Sequence, residues 1–423
     1  MVYKDRSLIH VKTLPCGARL VTEKLPDFQS ASIGIWVGAG AAREKAEQNG
    51  ISHFIEHMCF KGTDKRSFLQ LAKEADDLGA ALNAFTDKEA TCYHVKALTG
   101  VFPQAVDILL DMVCCSRNEA SEIRKEKRVV TEEIAMVEDT PDDIIVDILM
   151  DKVFRGTPLQ YAVLGSRKTV RAITREDVLT YRDTWYTAGN IVVAAVGNFD
   201  DRALEEQLEA QLSRLPAKSP EIEGFEPSKA CRYGYRTQDI NQTHIAIGLP
   251  TVSMGSEDYY AQAIACDVLG GSMSSRLFQN IREQKGLAYS VFSSALSYAG
   301  AGMFMIYAGI TPGKEADAVS GIADELAGLK RDGISKEETE IVKQRMKSGY
   351  IFSLESMNSR MYRLGRNLLL LDKVYSQEDT MAEIDAVTAD RVNAFLDRIC
   401  DISKYSGVAI SGSRIDMNRL IQG

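Results

Sequence analysis

"AITREDVLTYRDTWYTAGNIVVAAVGNFD", residues 172–200, has a counterpart late in the chain, "AVTADRVNAFLDRICDISKYSGVAISGSRID", residues 386–416. Each reaches a threonine able to cap a helix, Thr174 and Thr388, which lie 214 residues apart. Each then reads as an amphipathic helix followed by an apolar strand that ends in glycine and polar residues. A second pair keeps nearly the same spacing: "SASIGIWVGAG" (30–40) and "QTHIAIGLPTV" (242–252), both strand-like and both followed by a loop and a long helix. Two anchors at one offset identify an internal duplication. The expected organisation is an N-terminal half over 1–212, a linker over 213–230 rich in Pro, Ser and Glu, and a homologous C-terminal half over 231–423. Strands such as "GARLVTEKL" and "IVVAAVGNF" do not alternate with helices as regularly as in a doubly wound sheet. The predicted class is therefore α+β, with a mainly antiparallel sheet packed with helices in each half.

Composition narrows the function. At 423 residues, 26% charged and 45% hydrophobic, the chain is an ordinary globular one, long enough for two cores. No apolar run approaches the ~18 residues of a membrane span, and "MVYKDRSLIHVKTL" lacks the apolar core of a secretory signal, so the expectation is a cytoplasmic protein without a membrane partner. The eight cysteines are scattered without a C-x-x-C, which reads as buried thiols in a reducing compartment rather than disulfides or a cysteine zinc site. A net charge of −9 and a pI near 5.3 argue against nucleic acid, whose phosphates need a concentrated cationic face.

The chemistry is concentrated in "NGISHFIEHMCFKGT", residues 49–63. Ile51, Phe54, Ile55 and Met58 recur at helical spacing, so the segment reads as a partly buried helix. On it His53 and His57 are i and i+4, one turn apart on one face, with Glu56 close to the same face. The order is H-x-x-E-H, the inverse of the commoner H-E-x-x-H zinc motif. A histidine pair on a helix is often structural, but a glutamate in this position favours a metal site. A zinc hydrolase needs three protein ligands and an open position for water, so one ligand is missing. The amphipathic segment "SEIRKEKRVVTEEIAMVEDTPDD" (121–143) offers Glu122, Glu126, Glu132, Glu133 and Glu138, with Glu126 and Glu133 two turns apart on one face. Periodicity alone leaves that choice open.

"HFIEHMCFKGT", followed by "EKRVVTEEI", resembles the pitrilysin and insulinase family of zinc metallopeptidases, which includes the mitochondrial processing peptidase and bacterial relatives. The resemblance implies that the third ligand is Glu133, 76 residues past His57, and that Glu126 is the carboxylate standing behind the histidines. "GAALNAFTDKEATCYHV" (79–95) is similar to the family's edge strand, with Asn83, Ala84, Thr86, Glu89, Thr91 and Tyr93 in the matching pattern. "LGGSMSSRLFQNIREQKGLAYSVFSS" (269–294) is similar to its substrate-contacting segment, which places that role on Arg282 and Tyr289. "RGTPLQYAVLG" (155–165) departs from the pattern, where relatives often carry a histidine before the proline. Shifting the metal motif by 212 residues lands on Ala265, Val268 and Leu269, so the second half lacks every metal-site residue.

The implied protein is a zinc endopeptidase with one Zn²⁺ per chain on His53, His57 and Glu133. Glu56 is the expected general base for a zinc-activated water, Glu126 orients a histidine, and Asn83 and Ala84 pair with substrate as an added strand. Arg282 and Tyr289 hold the substrate backbone or the developing oxyanion. The substrates implied are unfolded peptides or leader and presequence segments, cut inside a closed chamber. Two domains supply half of such a chamber, which implies a homodimer, or a heterodimer with a degenerate paralogue. The alternative is a non-catalytic structural or regulatory subunit of a processing-peptidase-like complex, although such relatives typically lose zinc ligands that this sequence keeps. His10, His94 and His244 sit in strand-like contexts without ligand spacing, and Cys59, Cys114 and Cys115 read as core thiols. "RMYRLGRNLLLLDK" (360–373) reads as a helix with leucines in the core and arginines on the surface.

Overall fold

The computed structural model describes residues 9–423. Six strands form the first sheet: β1 (Ile9–Thr13), β2 (Arg19–Lys24), β3 (Ser30–Val37), β4 (Ala81–Thr86), β5 (Thr91–Leu98) and β6 (Ile191–Gly197), in the order β1-β2-β6-β3-β5-β4. Five form the second: β7 (Tyr233–Thr237), β8 (Thr243–Thr251), β9 (Ala288–Ser297), β10 (Gly302–Ile310) and β11 (Ser406–Ser411), in the order β7-β11-β8-β10-β9. With β1 set aside, the five strands of each sheet taken in chain order occupy the positions 1-5-2-4-3. In both sheets the first and last of those strands pair in parallel and every other pairing is antiparallel. The duplication is therefore a repeat of topology, and the α+β class holds.

The repeated threonines act as helix caps. Thr174 accepts from the Asp177 N–H at the head of the helix Arg175–Trp185, and Thr388 accepts from the Arg391 N–H at the head of Ala389–Ile399. Each helix then leads into the strand that pairs in parallel with the first of its set, β6 or β11.

Two compact units result, and neither is contiguous in sequence. The first gathers the chain up to Ile134, Tyr161–Glu223 and Ile351–Ser376; the second gathers Ala135–Gln160, Gly224–Tyr350 and Gln377–Gly423. This differs from a simple division into 1–212 and 231–423, because each unit contains a helix from the other half of the sequence. The helix Met357–Leu371 packs on β3 and β6, and the helix Pro141–Val153 packs on β8 and β11. The physical demand is visible in the strands themselves. β6, "IVVAAVG", and β10, "GMFMIYAGI", are buried at every position, so both faces of each sheet need cover. Residues 216–232 carry no regular secondary structure, and one of the points where the chain passes between the units, after Glu223, falls within them.

The helix Met357–Leu371 comes unusually close to its sheet. A Cβ at Gly365 would stand 2.1 Å from Nε1 of the rigid Trp36 ring, so that position needs glycine, and one at Gly34 would stand 2.3 Å from Sδ of the Met361 side chain. Polar ties complete the seat: Ser32 Oγ donates to Asn358 Oδ1 at 2.8 Å, and Tyr362 Oη lies 2.9 Å from His94 Nε2. The expectation that the arginines of this helix lie on the surface fails at Arg360. Its guanidinium pairs with Glu23, and the two side chains are only 13% and 1% exposed. Leu364 and Leu368 are core residues as expected. All eight cysteines are free thiols, with Cys59 buried and Cys114 and Cys115 half-buried. Among the described residues no helix is long and apolar enough to cross a membrane.

Candidate metal centre

The motif segment forms the helix Ile51–Cys59. Ile51, Phe54, Ile55 and Met58 are fully buried and set its rotation, which turns His53 and His57 to a common side. Gly50 precedes the helix at φ 97°, where a Cβ would also meet Leu164 O at 2.6 Å. The Glu44 carboxylate closes the helix N-terminus, accepting from Gly50 N–H at 2.6 Å, Ser52 N–H at 2.8 Å and Asn49 Nδ2 at 2.7 Å. Burial pushes that carboxyl up to about 7, in spite of the three donors aimed at it.

His53 Nε2 and His57 Nε2 are 3.2 Å apart. Glu133, from the helix Ala120–Asp139, brings Oε2 to 3.5 Å from His57 Nε2 and Oε1 to 3.7 Å from His53 Nε2. Ligand atoms on a tetrahedral zinc with bonds of about 2.0–2.1 Å would stand about 3.3 Å apart, so these three fit the edges of one coordination polyhedron. Among the described residues His53, His57 and Glu133 form a group able to hold a metal ion, with ligand atoms all within 4.8 Å of one another. Two imidazoles and one carboxylate are also a donor set suited to zinc.

Behind them stands Glu126, 3% exposed. Its Oε1 lies 2.8 Å from His57 Nδ1 and its Oε2 lies 2.7 Å from Lys61 Nζ. The contact assigns the Nδ1 proton to the carboxylate side and leaves Nε2 aimed at the centre. Of the glutamates that periodicity left open, Glu126 and Glu133 reach the site, whereas Glu122 pairs with Lys125 and Glu132 is exposed. Burial alone would lower His57, but the bonds to Glu126 and Glu133 outweigh it and raise the imidazole to about 9. His53, buried and facing the charge of His57, is pushed down to about 4. The bond from His57 holds Glu133 below the usual carboxylate range. Glu56 lies beside these groups without joining them. Its Oε2 accepts from Thr86 Oγ1 at 2.5 Å, and burial raises its carboxyl.

The other sequence-derived residues divide between the units. β4, which carries Asn83 and Ala84, is the edge strand of the first sheet; Asn83 is exposed, and the Ala84 N–H donates to Asn83 Oδ1 at 2.8 Å. Arg282 and Tyr289 belong to the second unit and meet there. The Arg282 guanidinium lies 4.6 Å from the Phe278 ring centroid and 5.6 Å from that of Tyr289. Arg282 sits in the π-helical segment Phe278–Gln284, and Tyr289, 73% exposed, is the second residue of the edge strand β9. Ala265, Val268 and Leu269 are buried in the helix Tyr259–Gly270, where no ligand chemistry exists. Sequence reasoning missed Glu44 and Lys61 and assigned Thr86 no role. Only Lys61, one turn past His57, carried a local signal.

Residues 19–167 match the family model described as insulinase (peptidase family M16), and residues 172–346 match the one described as peptidase M16 inactive domain. The zinc protease YmxG of Bacillus subtilis (strain 168), itself described as uncharacterized, is 40% identical over 385 residues, covering 90% of this chain and 94% of that protein. The chain belongs to the insulinase family. Another uncharacterized zinc protease, from Mycobacterium tuberculosis (strain H37Rv), is 39% identical over 409 residues, 95% of this chain and 92% of its own. Among solved structures, a protease from Helicobacter pylori shares the fold with a TM-score of 0.89 at 20% identity, covering 96% of this chain and 99% of that one. The M16 inactive domain protein from Pseudomonas fluorescens does so with a TM-score of 0.89 at 18% identity, covering 96% and 98%. Within this insulinase-family chain, His53, Glu56, His57, Glu126 and Glu133 all fall in the first matched stretch, and Arg282 and Tyr289 fall in the second.

Proposed function

We propose that this insulinase-family chain is a zinc-dependent endopeptidase acting on unfolded peptides. The observation that carries the reading is the convergence of His53 Nε2, His57 Nε2 and a Glu133 oxygen, with the Glu56 carboxylate alongside but held to Thr86. The relatives named zinc proteases support it. His53, His57 and Glu133 would hold one zinc ion per chain. Zinc so held supplies a Lewis acid that lowers the pKa of water towards ~7.

The remaining chemistry belongs to the chain. Glu56 takes the proton of the attacking water and returns it to the leaving amine nitrogen. Glu126, with Lys61 on its other oxygen, keeps His57 in the tautomer that presents Nε2. The edge of β4 at Asn83 and Ala84 receives the substrate main chain as an added strand, which reads backbone more than side chains and predicts loose sequence preference. Arg282 and Tyr289 contact the substrate backbone or the developing oxyanion. Because the second half lacks metal-site residues, we infer a homodimer enclosing a chamber, in which each metal centre is completed by Arg282 and Tyr289 of the partner subunit. A chain of net charge −9 suits basic, extended segments such as leader peptides and presequences.

Digesting a peptide library with and without a chelator, and mapping cut sites by mass spectrometry, tests the activity. Chelator-sensitive cleavage with an upper size limit is the expected result. Efficient digestion of folded proteins would count against the chamber, and sedimentation as a monomer would count against the dimer. Glu56→Gln should retain zinc and lose roughly 10²–10⁴-fold in kcat; an active variant overturns the assignment of the base.

A further inference from the structure

A carboxylate acting as a general base offers one oxygen to the reacting water, and a hydrogen bond to the other oxygen fixes which one that is. Carboxylates rotate broadly about their last torsion, so this division does not come from the glutamate alone. Here it is supplied across the sheet. Thr86, the last residue of β4, donates from Oγ1 to Glu56 Oε2 at 2.5 Å. Its register partner Thr91, the first residue of β5 and fully buried, brings its own Oγ1 to 3.2 Å from Thr86 Oγ1 and donates to Ala39 O at 2.8 Å.

Counting hydrogens settles the direction. A hydroxyl carries one hydrogen. Thr91 gives its hydrogen to Ala39 O, so it does not compete for Glu56, and its 3.2 Å approach to the Thr86 oxygen is a packing contact with no hydrogen between them. The Thr86 hydrogen points at Glu56 Oε2. Among the described residues no hydrogen-bond partner reaches Glu56 Oε1. The two oxygens of one carboxylate are thus distinguished, Oε2 tethered and Oε1 open.

We infer that Thr86 is a positioning residue: its hydroxyl locks the Glu56 carboxylate so that Oε1 serves as the base and the carboxylate does not swing in as an extra metal ligand. The inference rests on the peptidase reading. In that reaction Oε1 takes the water proton as the carbon–oxygen bond forms and hands it to the amide nitrogen as the carbon–nitrogen bond breaks. Thr86 keeps its own hydrogen throughout.

The test uses two pairs of substitutions in the full chain that differ mainly in the hydroxyl: Thr against Thr86→Val, and Thr86→Ser against Thr86→Ala. Each member is checked for zinc content. Losing the hydroxyl should lower kcat roughly 10–100-fold in both pairs, as expected for a hydrogen bond to a charged group, with KM within about twofold. A hydroxyl effect near one in either pair, or a loss confined to KM, overturns the inference. The serine and alanine variants share the same smaller volume, so a packing defect in Thr86→Val does not obscure the answer. A second readout needs no turnover. In zinc-free protein with ¹³C-labelled glutamate, the Glu56 carboxylate stretch, identified by its loss in Glu56→Gln, should shift in Thr86→Val and stay in place in Thr86→Ser. If the wild-type chain cleaves nothing, the peptidase reading falls, and an unshifted stretch in Thr86→Val separately overturns the tether.

Discussion

His57 Nδ1 and Glu126 Oε1 lie 2.8 Å apart, and the second oxygen of the same buried carboxylate is 2.7 Å from Lys61 Nζ. One glutamate therefore sets the tautomer of a candidate ligand while a lysine satisfies its remaining oxygen. Replacing Glu126 with glutamine would put an amide N–H₂ against either His57 or the Lys61 ammonium, so one of the two contacts must break. Zinc affinity of Glu126→Gln should fall about 10–100-fold. Competition against a chromophoric chelator measures it, and an unchanged Kd would show that the contact has no bearing on the ion.

Metal uptake should be coupled to a proton. The bonds that raise His57 to about 9 keep it protonated in the metal-free chain at pH 7.5, yet a ligand must be neutral. Zinc binding should release close to one proton there, and affinity should weaken as pH falls. Without metal the same shift stabilises the fold fully below the ordinary histidine value of 6.5, and that contribution is lost as pH rises through about 9. Calorimetry in two buffers of different ionisation enthalpy gives the proton count; identical heats would contradict it.

Glu44 predicts a dependence of the opposite kind to that of a salt-bridged carboxylate. Its folded value is raised from 4.5 to about 7, so between those limits the folded state binds more protons than the unfolded one. Its contribution to stability must therefore decline as pH rises from 4.5 to about 7 and level off above. Glu44→Gln, which stays neutral at every pH, should remove that slope. Urea unfolding of zinc-free protein at several pH values checks both parts.

The buried pair of Glu23 and Arg360 holds the helix Met357–Leu371 on its sheet. Arg360→Ala strands a carboxylate that is 1% exposed and should cost about 3–5 kcal/mol. Glu23→Leu combined with Arg360→Met should recover most of the loss, since removing both charges also removes the cost of burying them. Denaturant unfolding of the single and double variants decides it; a double variant as unstable as the single one would show that the charge pair is not what seats the helix.

What the chain determined by itself was everything carried by consecutive residues. The spacing of Ile51, Phe54, Ile55 and Met58 orients the motif helix and with it His53, Glu56 and His57. The capping threonines 174 and 388 mark the two copies of one topology. These follow from helix and strand periods, which need no partner. Tertiary packing decided the rest. Nothing local separates Glu133 from Glu132, or shows Glu44 reaching back to cap Ser52, Thr86 crossing to Glu56, or Arg360 turning inward to Glu23. Nor does a repeat reveal that two helices change halves. Such contacts depend on where separate elements come to rest when apolar sheets must be covered on both faces, and that is a property of the assembled core.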